Sequence, residues 1–287
     1  MMRSVVPVLT VVGAIFALWY LAAIWLNAPW AYDKAERAGV ELSASELVAD
    51  TWAQDKPKLP APHQVAVEIW ETTVEKKITS KRSLIWHSWV TLSATLLGFA
   101  LGTGLGILLA VGIVFNTVMD RSVMPWVITS QTIPILALAP MIIVVLNAVG
   151  ISGLLPKAMI SMYLSFFPVV VGMVKGLRSP EVMQLDQMRT WNASASQTFW
   201  RLRLPASMPY LFASLKVGVA ASLVGAIVGE LPTGAVAGLG ARLLAGSYYG
   251  QTIQIWSALI MAAALAAVLV ALIGLIQRVT LQRMGMA

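Results

Sequence analysis

The sequence predicts an all-α integral membrane protein with six transmembrane helices and a helical cytoplasmic loop between the fourth and the fifth. Of its 287 residues, 58% are hydrophobic and only 11% are charged, whereas a soluble domain carries about 25% charged residues. The apolar residues gather in segments long enough to cross a bilayer, which takes about 20 residues of helix. A polar, basic stretch at 181–209 interrupts these segments. A chain this apolar cannot bury its side chains in one soluble core, so lipid must be part of its solvent.

The predicted membrane spans follow from the apolar runs. They cover 5–26, 86–114, 123–147, 155–176, 210–230 and 253–276. The first run could be a cleaved signal peptide, but it is longer than a usual signal core, so we favour a retained signal-anchor at 1–27. All the basic residues of the short loops fall on one side if the N-terminus is cytoplasmic. They are Arg121, Lys175, Arg178, Arg189, Arg201, Arg203, Arg278 and Arg283. The positive-inside rule then places both termini in the cytoplasm.

Residues 28–83 form a long, charged segment that we expect to be external, ahead of a core domain at 84–287. Within it, Val65, Ile69, Thr72 and Thr73 recur at helical spacing. This pattern indicates an amphipathic helix, which either lies on the membrane surface or merely connects the flanking parts. The role of this segment stays open.

The second span carries glycines at four-residue spacing, Gly98, Gly102 and Gly106, with Gly104 between them. Glycines on one face of a helix let two backbones approach closely. We therefore interpret these glycines as a helix-packing face rather than as the lining of a pathway.

Polar residues and prolines interrupt the third span. Ser130, Gln131 and Thr132 are followed by Pro134 and Pro140, and each proline removes a backbone donor. The helix must bend here, and its freed carbonyl groups need protein or water partners. The polar groups either face a cavity or belong to a kink that neighbouring helices satisfy.

Three further features of the spans concern a pathway. Phe166, Phe167 and Pro168 predict a second kink with bulky rings in the fourth span. Lys216 is expected near the cytoplasmic end of the fifth span, where it can snorkel. Glu230 closes that span on the external side, where it is either an interfacial residue or a substrate contact.

The polar stretch at 181–209 has the pattern of a helical hairpin. Pro180 suits a first helical turn, and the helix should run towards Trp191. Asn192 then stands where a left-handed residue ends a helix. Ser194 and Gln197 form a capping-box pattern that starts a second helix at about 195–203.

The second helix of this hairpin carries Phe199, Trp200 and Arg201, and we expect Pro205 and Pro209 to end it. Aromatic residues and Arg are enriched at the centres of protein interfaces. These side chains therefore form either a docking surface or a packing surface against the protein's own helices.

The hairpin resembles the EAA loop of permeases from binding-protein-dependent ABC transporters. The family pattern E-A-A-x-x-x-G, followed by an apolar residue, Leu and Pro, stands here as Asp186-Gln187-Met188-Arg189-Thr190-Trp191-Asn192, then Leu204-Pro205. Asp replaces Glu and Asn replaces Gly, which preserves the charge and the turn geometry. The resemblance covers about 60–280. WVTLSATLLGFALGTGLGILLAV at 89–111 is similar to the start of the family's core domain.

Three other stretches are similar to the nitrate/sulfonate/taurine branch of that family, and most similar to its pyrimidine (thiamine-precursor) permeases. They are SQTIPILALAP, SFFPVVVGMVKGLRS and PYLFASLKVGVAASLVGAIVGE. The resemblance implies a subunit of an importer in a bacterial inner membrane. It further implies a permease homodimer, two cytoplasmic ATPase subunits and an extracytoplasmic solute-binding protein. The chain lacks the pattern GxxxxGK[ST], so ATP and Mg are expected on the ATPase, and no cofactor on this chain.

The resemblance assigns two sets of site residues. The hairpin would be the coupling helix that contacts the ATPase, through Asp186, Arg189, Asn192, Ala193, Ser194, Phe199 and Pro205. The substrate pathway would involve Ser130, Gln131, Thr132, Pro134, Phe166, Phe167 and Glu230. Aromatic faces with a few hydrogen-bonding groups suit a flat, neutral heterocycle.

Other functions fit the sequence less well. An anionic solute such as a sulfonate would favour a midplane cation, whereas Lys157, Lys175 and Lys216 are all expected near span ends. An ion-coupled secondary transporter would show buried ionisable residues and inverted repeats. An intramembrane enzyme would need convergent catalytic residues, but the two histidines have no metal-ligand spacing, so we expect neither a catalytic nor a metal site. The net charge of +7 lacks the basic, aromatic stripe of a nucleic-acid-binding protein.

Overall fold

The computed structural model describes residues 2–232, 235 and 237–286. Within these residues the chain forms helices and turns and no strand. The helices are α1 (Met2–Ala38), α2 (Ala44–Ala53), α3 (Pro62–Trp70), α4 (Leu84–Phe115), α5 (Thr117–Ser130), α6 (Ile135–Ala148), α7 (Leu154–Leu177), α8 (Val182–Thr190), α9 (Ala195–Thr198), α10 (Leu204–Glu230), α11 (Leu239–Tyr249) and α12 (Thr252–Arg283). Two π-helical turns, Glu71–Glu75 and Phe199–Arg203, follow α3 and α9.

Five helical segments of the described chain are long and apolar enough to cross a membrane. They are Val6–Ala38, Leu84–Phe115, Leu154–Leu177, Ala195–Glu230 and Thr252–Arg283. The third predicted span differs, because it is not one kinked helix. It is the pair α5 and α6, which together pass the same test but meet at 102°.

The bent pair nevertheless runs from one end of α4 and α7 to the other. Glycines of α4 contact α7 in the same order along both helices: Gly98 meets Ser161, Gly102 meets Ser165, and Gly106 meets Val169. The helices α4 and α7 are therefore parallel, so the chain between them must return to the end where α4 began. The pair α5 and α6 makes this return and supplies the sixth predicted span.

Packing divides the chain into two compact units. The first comprises Met1–His87 with Ala241–Ala262, and the second comprises Ser88–Gly240 with Ala263–Ala287. The long helices α4 and α12 each contribute to both units. The first unit thus contains the predicted external segment together with most of α11, whereas the second contains the hairpin and the broken helix.

The second unit is built on close contacts between small residues. The antiparallel helices α7 and α10 meet where Gly172 faces Ser214 and Gly176 faces Ser207. A Cβ added at Gly98, Gly102 or Gly106 would collide with α7, which confirms the helix-packing interpretation of these glycines. Gly104 faces open space instead.

The first unit is held by polar side chains that reach along the chain. Asn27 accepts hydrogen bonds from the amides of Lys58 and Leu59 at 2.8 and 3.2 Å, and it donates to the Leu59 carbonyl group at 2.8 Å. Trp19 packs on Trp256 with ring centroids 4.8 Å apart. The N-terminal helix also continues to Ala38, well beyond its predicted boundary at 27.

The predicted amphipathic helix forms as α3 and the π-helical turn after it, but its faces are distributed differently. Val65 and Thr72, which define the predicted apolar face, are buried inside the first unit. The exposed face instead carries Val67, Trp70 and Val74. The face of Val65 and Thr72 is therefore a packing face, because the rest of this unit covers it.

Candidate functional site

The hairpin at 181–209 starts with α8. The side chain of Gln184 accepts a hydrogen bond from the amide of Glu181 at 3.0 Å, which satisfies one of the free donors at the helix start. Pro180 lies just before this first turn. A short, capped helix therefore forms here, close to the predicted start.

The end of α8 confirms the turn predicted from the sequence. Asn192 has a φ of +51°, in the left-handed region that glycine and asparagine favour. The amide of Asn192 donates to the Arg189 carbonyl group at 2.8 Å. The amide of Ala193 donates to the Met188 carbonyl group at 3.0 Å. These two bonds form a Schellman motif, which fixes the angle at which the chain leaves the helix.

The second helix begins with the predicted capping box. Ser194 accepts from the amide of Gln197 at 3.2 Å, and the Gln197 side chain accepts from the amide of Ser194 at 2.9 Å. The predicted end of this helix at Pro205 and Pro209 is wrong. Pro205 comes just after the π-helical turn Phe199–Arg203, and the helical path continues through it from 195 to Glu230.

The aromatic residues of the hairpin divide between two surfaces. Phe199 packs inward against Phe115 at the end of α4, with ring centroids 5.7 Å apart. Trp191 and Trp200 are 66% and 64% exposed. The packing interpretation therefore holds for Phe199, and docking stays a prediction for the two exposed rings.

Arg203 fastens the hairpin to the helices beneath it. Its guanidinium group donates to the Leu177 carbonyl group at 2.8 Å and lies over the Phe115 ring at 5.8 Å. Arg178, just after α7, pairs with Asp120 at 2.9 Å. Arg203 thus ties the hairpin to the ends of α7 and α4, and the Arg178 pair ties the end of α7 to α5.

The outer surface of the hairpin combines apolar side chains with an ion pair. Val182 and Met183 are exposed on α8, and Asp186 pairs with Arg189 at 2.9 Å on the same helix. A groove of about 410 Å³ runs between α8 and the second helix. Its walls include Gln184, Gln187, Met188, Trp191, Ala193, Gln197, Arg201 and Leu202. A capped hairpin whose outer face combines exposed apolar side chains, an ion pair and a groove is suited to hold a partner protein.

Side chains near the break in the third span bond several of its carbonyl groups. Ser130 donates to the Val127 carbonyl group at 2.7 Å, and Thr132 donates to that of Thr129 at 2.8 Å. The Tyr163 hydroxyl group of α7 donates to the Ser130 carbonyl group. Sequence reasoning missed Tyr163, because a tyrosine inside an apolar span gives no sign of which carbonyl group it will meet.

The structure brings only some of the predicted pathway residues together. Ser130, Gln131 and Tyr163 are neighbours, and the Tyr163 ring lies 6.1 Å from that of Phe166. Phe166 is buried, whereas Phe167 is half-buried and Thr132 and Pro134 are exposed. Pro168 lies inside α7, which runs unbroken from Leu154 to Leu177.

Glu230 lies apart from this group, and it is fully buried. Its carboxylate accepts from Thr91 at 2.9 Å and from the amide of Gly240 at 2.8 Å. Nearby along α10, Ser222 donates to the Thr95 carbonyl group at 2.8 Å and shares a 2.6 Å hydrogen bond with Ser161. The hydroxyl spacing of Ser161 and Ser165 matches that of Gly98 and Gly102, a signal that could have predicted the contact.

The helix that carries Lys216 begins earlier than the predicted span at 210–230. The helix α10 begins at Leu204, so Lys216 lies in its middle, partly buried, beside Gly274 of α12. The fifth span therefore carries a cation well inside its helix.

Comparison with known proteins identifies the family. Residues 102–286 match the family of binding-protein-dependent transport system inner membrane components. The chain belongs to this family. It is a permease subunit of the ABC importer type. It is therefore a multi-pass transport protein of the inner membrane.

Individual relatives support the same conclusion. The formylaminopyrimidine transport permease protein ThiX of Halalkalibacterium halodurans is 34% identical over 63% of this chain and 68% of its own length. The riboflavin transport system permease protein RibX of Chloroflexus aurantiacus is 29% identical over 77% and 78%. The putative aliphatic sulfonates transport permease protein SsuC of Bacillus subtilis is 23% identical over 71% and 72%. Membership of this family argues against a secondary carrier.

Proposed function

We propose that this permease carries a small pyrimidine-type heterocycle across the inner membrane, driven by a separate ATPase. The relatives named for a formylaminopyrimidine and for riboflavin, both with heteroaromatic rings, are 34% and 29% identical to it, against 23% for the one named for sulfonates. The aromatic and amide groups around the broken helix, Gln131, Tyr163 and Phe167, suit such a ring.

The hairpin is the observation that carries the ATP-driven mechanism. It presents Val182, Met183 and Trp191 outward, while Phe199 and Arg203 anchor it to the membrane helices. The helix that begins at Ala195 runs unbroken into α10. A cytoplasmic ATPase that moved the hairpin would therefore move α10 as a lever, with Ser207 and Ser214 sliding along α7.

The same movement of α10 would also act on the substrate pathway. The broken helix meets α7 through the bond from Tyr163 to Ser130, and α7 packs along the whole of α10. A displacement of α10 against α7 would shift Tyr163 and change the partners of Gln131. In this proposal the break opens and closes the pathway, and a second copy of the permease forms its other wall.

The remaining arrangement follows from charge and family. A solute-binding protein delivers the solute on the external side, and ATP and Mg stay on the ATPase. Both termini are cytoplasmic, because this orientation places Arg178, Arg189 and Arg203 inside. Lipid surrounds the apolar faces of the spans.

An aliphatic sulfonate is the second candidate solute. Lys216 favours it, because a cation in the middle of α10 would attract an anion. Uptake by the Lys216→Met variant separates the two. If the solute is an uncharged heterocycle, uptake survives, and if it is a sulfonate, uptake falls by at least about tenfold, since losing one ion pair costs more than about 1.4 kcal/mol.

Affinity purification in mild detergent tests the coupling proposal. The tagged chain should bring an ATPase with it, and the double variant Met183→Asp/Trp191→Asp should lose that ATPase while remaining in the membrane. Tyr248→Asp is the matched control, because Tyr248 is 78% exposed but is predicted on the opposite side. An ATPase that stays bound to the double variant contradicts the coupling role of the hairpin.

A further inference from the structure

A polar cavity of about 440 Å³ lies within the first unit. Glu68 on α3, Arg242 on α11 and Gln254 at the start of α12 contribute to its wall. None of these residues belongs to the hairpin or to the broken helix. We infer that this cavity is a second binding site, which takes a small uncharged solute carrying both hydrogen-bond donors and acceptors.

Arg242 fixes the wall of the cavity. It is only 5% exposed, and its guanidinium group bonds Glu68 at 2.8 Å and the Arg82 carbonyl group at 3.0 Å. Burial lowers the pKa of Arg242, and the Glu68 carboxylate opposes this effect. A buried charge with fixed partners holds its position, because removing either partner would leave it uncompensated.

Two buried atoms of the wall have no hydrogen-bond partner. They are Nε of Arg242, which is a donor, and Oε1 of Gln254, which is an acceptor. Leaving such a group unpaired costs about 1–3 kcal/mol, so native proteins rarely keep one without a reason. A solute that accepts from Arg242 and donates to Gln254 would remove both costs. Both atoms are covered at present, so binding requires new rotamers of Gln254 and of the side chains over Nε of Arg242, while Arg242 keeps its bonds to Glu68 and the Arg82 carbonyl group.

The charges around the cavity decide the class of solute. Asp55, Glu68 and Glu71 are acidic, and their charges are matched by the basic side chains of Lys76, Arg82 and Arg242. An anion would meet three carboxylates and a cation would meet three bases, so neither gains from the site as a whole. An uncharged ring with an amino or amide edge can bond both kinds of group. The volume falls in the range of about 300–1,000 Å³ that small-molecule sites occupy.

This inference rests on the proposed function for its solute class, and it adds a place where that solute binds outside the predicted pathway. The cavity belongs to the unit that contains residues 28–83, the segment whose role the sequence left open. A binding site in this unit would give residues 28–83 a role in solute binding, which is separate from the crossing of the membrane by the spans.

The test uses the full-length chain in detergent without an ATPase or a binding protein. Equilibrium dialysis with radiolabelled cytosine, an uncharged ring with a donor beside an acceptor, should show saturable binding below about 1 mM. Methanesulfonate and guanidinium should not compete. The shape-conserving variant Gln254→Met should weaken binding by at least about tenfold, since it loses one buried hydrogen bond.

Two controls make the result specific. Gln282→Met changes an exposed glutamine of α12 outside the cavity and should bind cytosine normally. Thermal unfolding of each variant shows whether it is folded. Unsaturable binding, or equal affinity in the wild type and the folded Gln254→Met chain, overturns the inference, as does a loss of binding in Gln131→Leu alone.

The outcome is also separable from that of the proposed function. If the assembled transporter imports a pyrimidine while the isolated chain binds no cytosine, only the cavity site is wrong. If the chain binds cytosine through Gln254 while the assembled transporter imports no pyrimidine, the cavity site stands and the proposed substrate is wrong.

Discussion

Thr91 donates a hydrogen bond to Glu230 at 2.9 Å across 139 positions of the sequence, and both residues are completely buried. Both side chains also bond the start of α11. The amide of Gly240 donates to Glu230, and the amide of Leu239 donates to Thr91, both at 2.8 Å. Two side chains therefore join α4, the end of α10 and the start of α11.

Replacing Glu230 should destabilise the permease in proportion to the bonds it loses. Glu230→Leu leaves the Gly240 amide and the Thr91 hydroxyl group without this acceptor, so we expect a loss of about 1–3 kcal/mol for each group. Glu230→Gln keeps one acceptor and should fall between this variant and the wild type. Thermal unfolding in detergent measures the order, with the exposed Glu75→Leu as control. A Leu variant as stable as the wild type would contradict the role of these bonds.

A pair of glycine variants tests the packing of α4 on α7. A Cβ at Gly102 would collide with Ser165, whereas a Cβ at Gly104 would meet open space. We therefore expect Gly102→Ala to cost about 1–3 kcal/mol of stability, as overpacking does, and Gly104→Ala to be nearly neutral. Unfolding temperatures of the two purified variants decide this, and equal values would refute the predicted contact.

Arg203 should couple the hairpin to the spans. Arg203→Met keeps an unbranched apolar stem but loses the guanidinium group that bonds the Leu177 carbonyl group. We expect an assembled transporter that still hydrolyses ATP while solute uptake falls several-fold, because the hairpin can move without α7. Arg121→Met, at an exposed arginine outside the hairpin, is the control. Uptake that remains at the wild-type ratio to ATP hydrolysis would show that Arg203 is not part of the linkage.

The break between α5 and α6 should affect transport through Tyr163 and Gln131. Tyr163→Phe removes only the hydroxyl group that bonds Ser130, and Gln131→Leu removes the amide. We expect each to change the KM for uptake or the range of solutes, with little change in the amount of protein in the membrane. Kinetics identical to the wild type in both variants would mean that the break is only structural.

The helical hairpin shows what could be predicted locally. The left-handed residue at Asn192 and the capping box at Ser194 depend on bonds within a few residues, so the sequence was sufficient for them. The predicted end of the second helix at Pro205 was wrong, because a proline that a continuing helix accommodates and a proline that stops one look alike until the following path is known.

The sequence by itself determined the membrane class, the six crossings, the glycine face of α4 and the hairpin, because hydropathy, helical spacing and capping are short-range properties. Only the tertiary structure decided that the third crossing is a bent pair of helices, and that Phe199 packs inward while Trp191 faces out. It also decided that the Tyr163 hydroxyl group bonds the Ser130 carbonyl group at the break between α5 and α6. It also decided that Glu230 is buried and that Lys216 lies in the middle of its helix. Each of these depends on which distant atoms a side chain meets, and no local pattern encodes a contact such as that of Thr91 with Glu230.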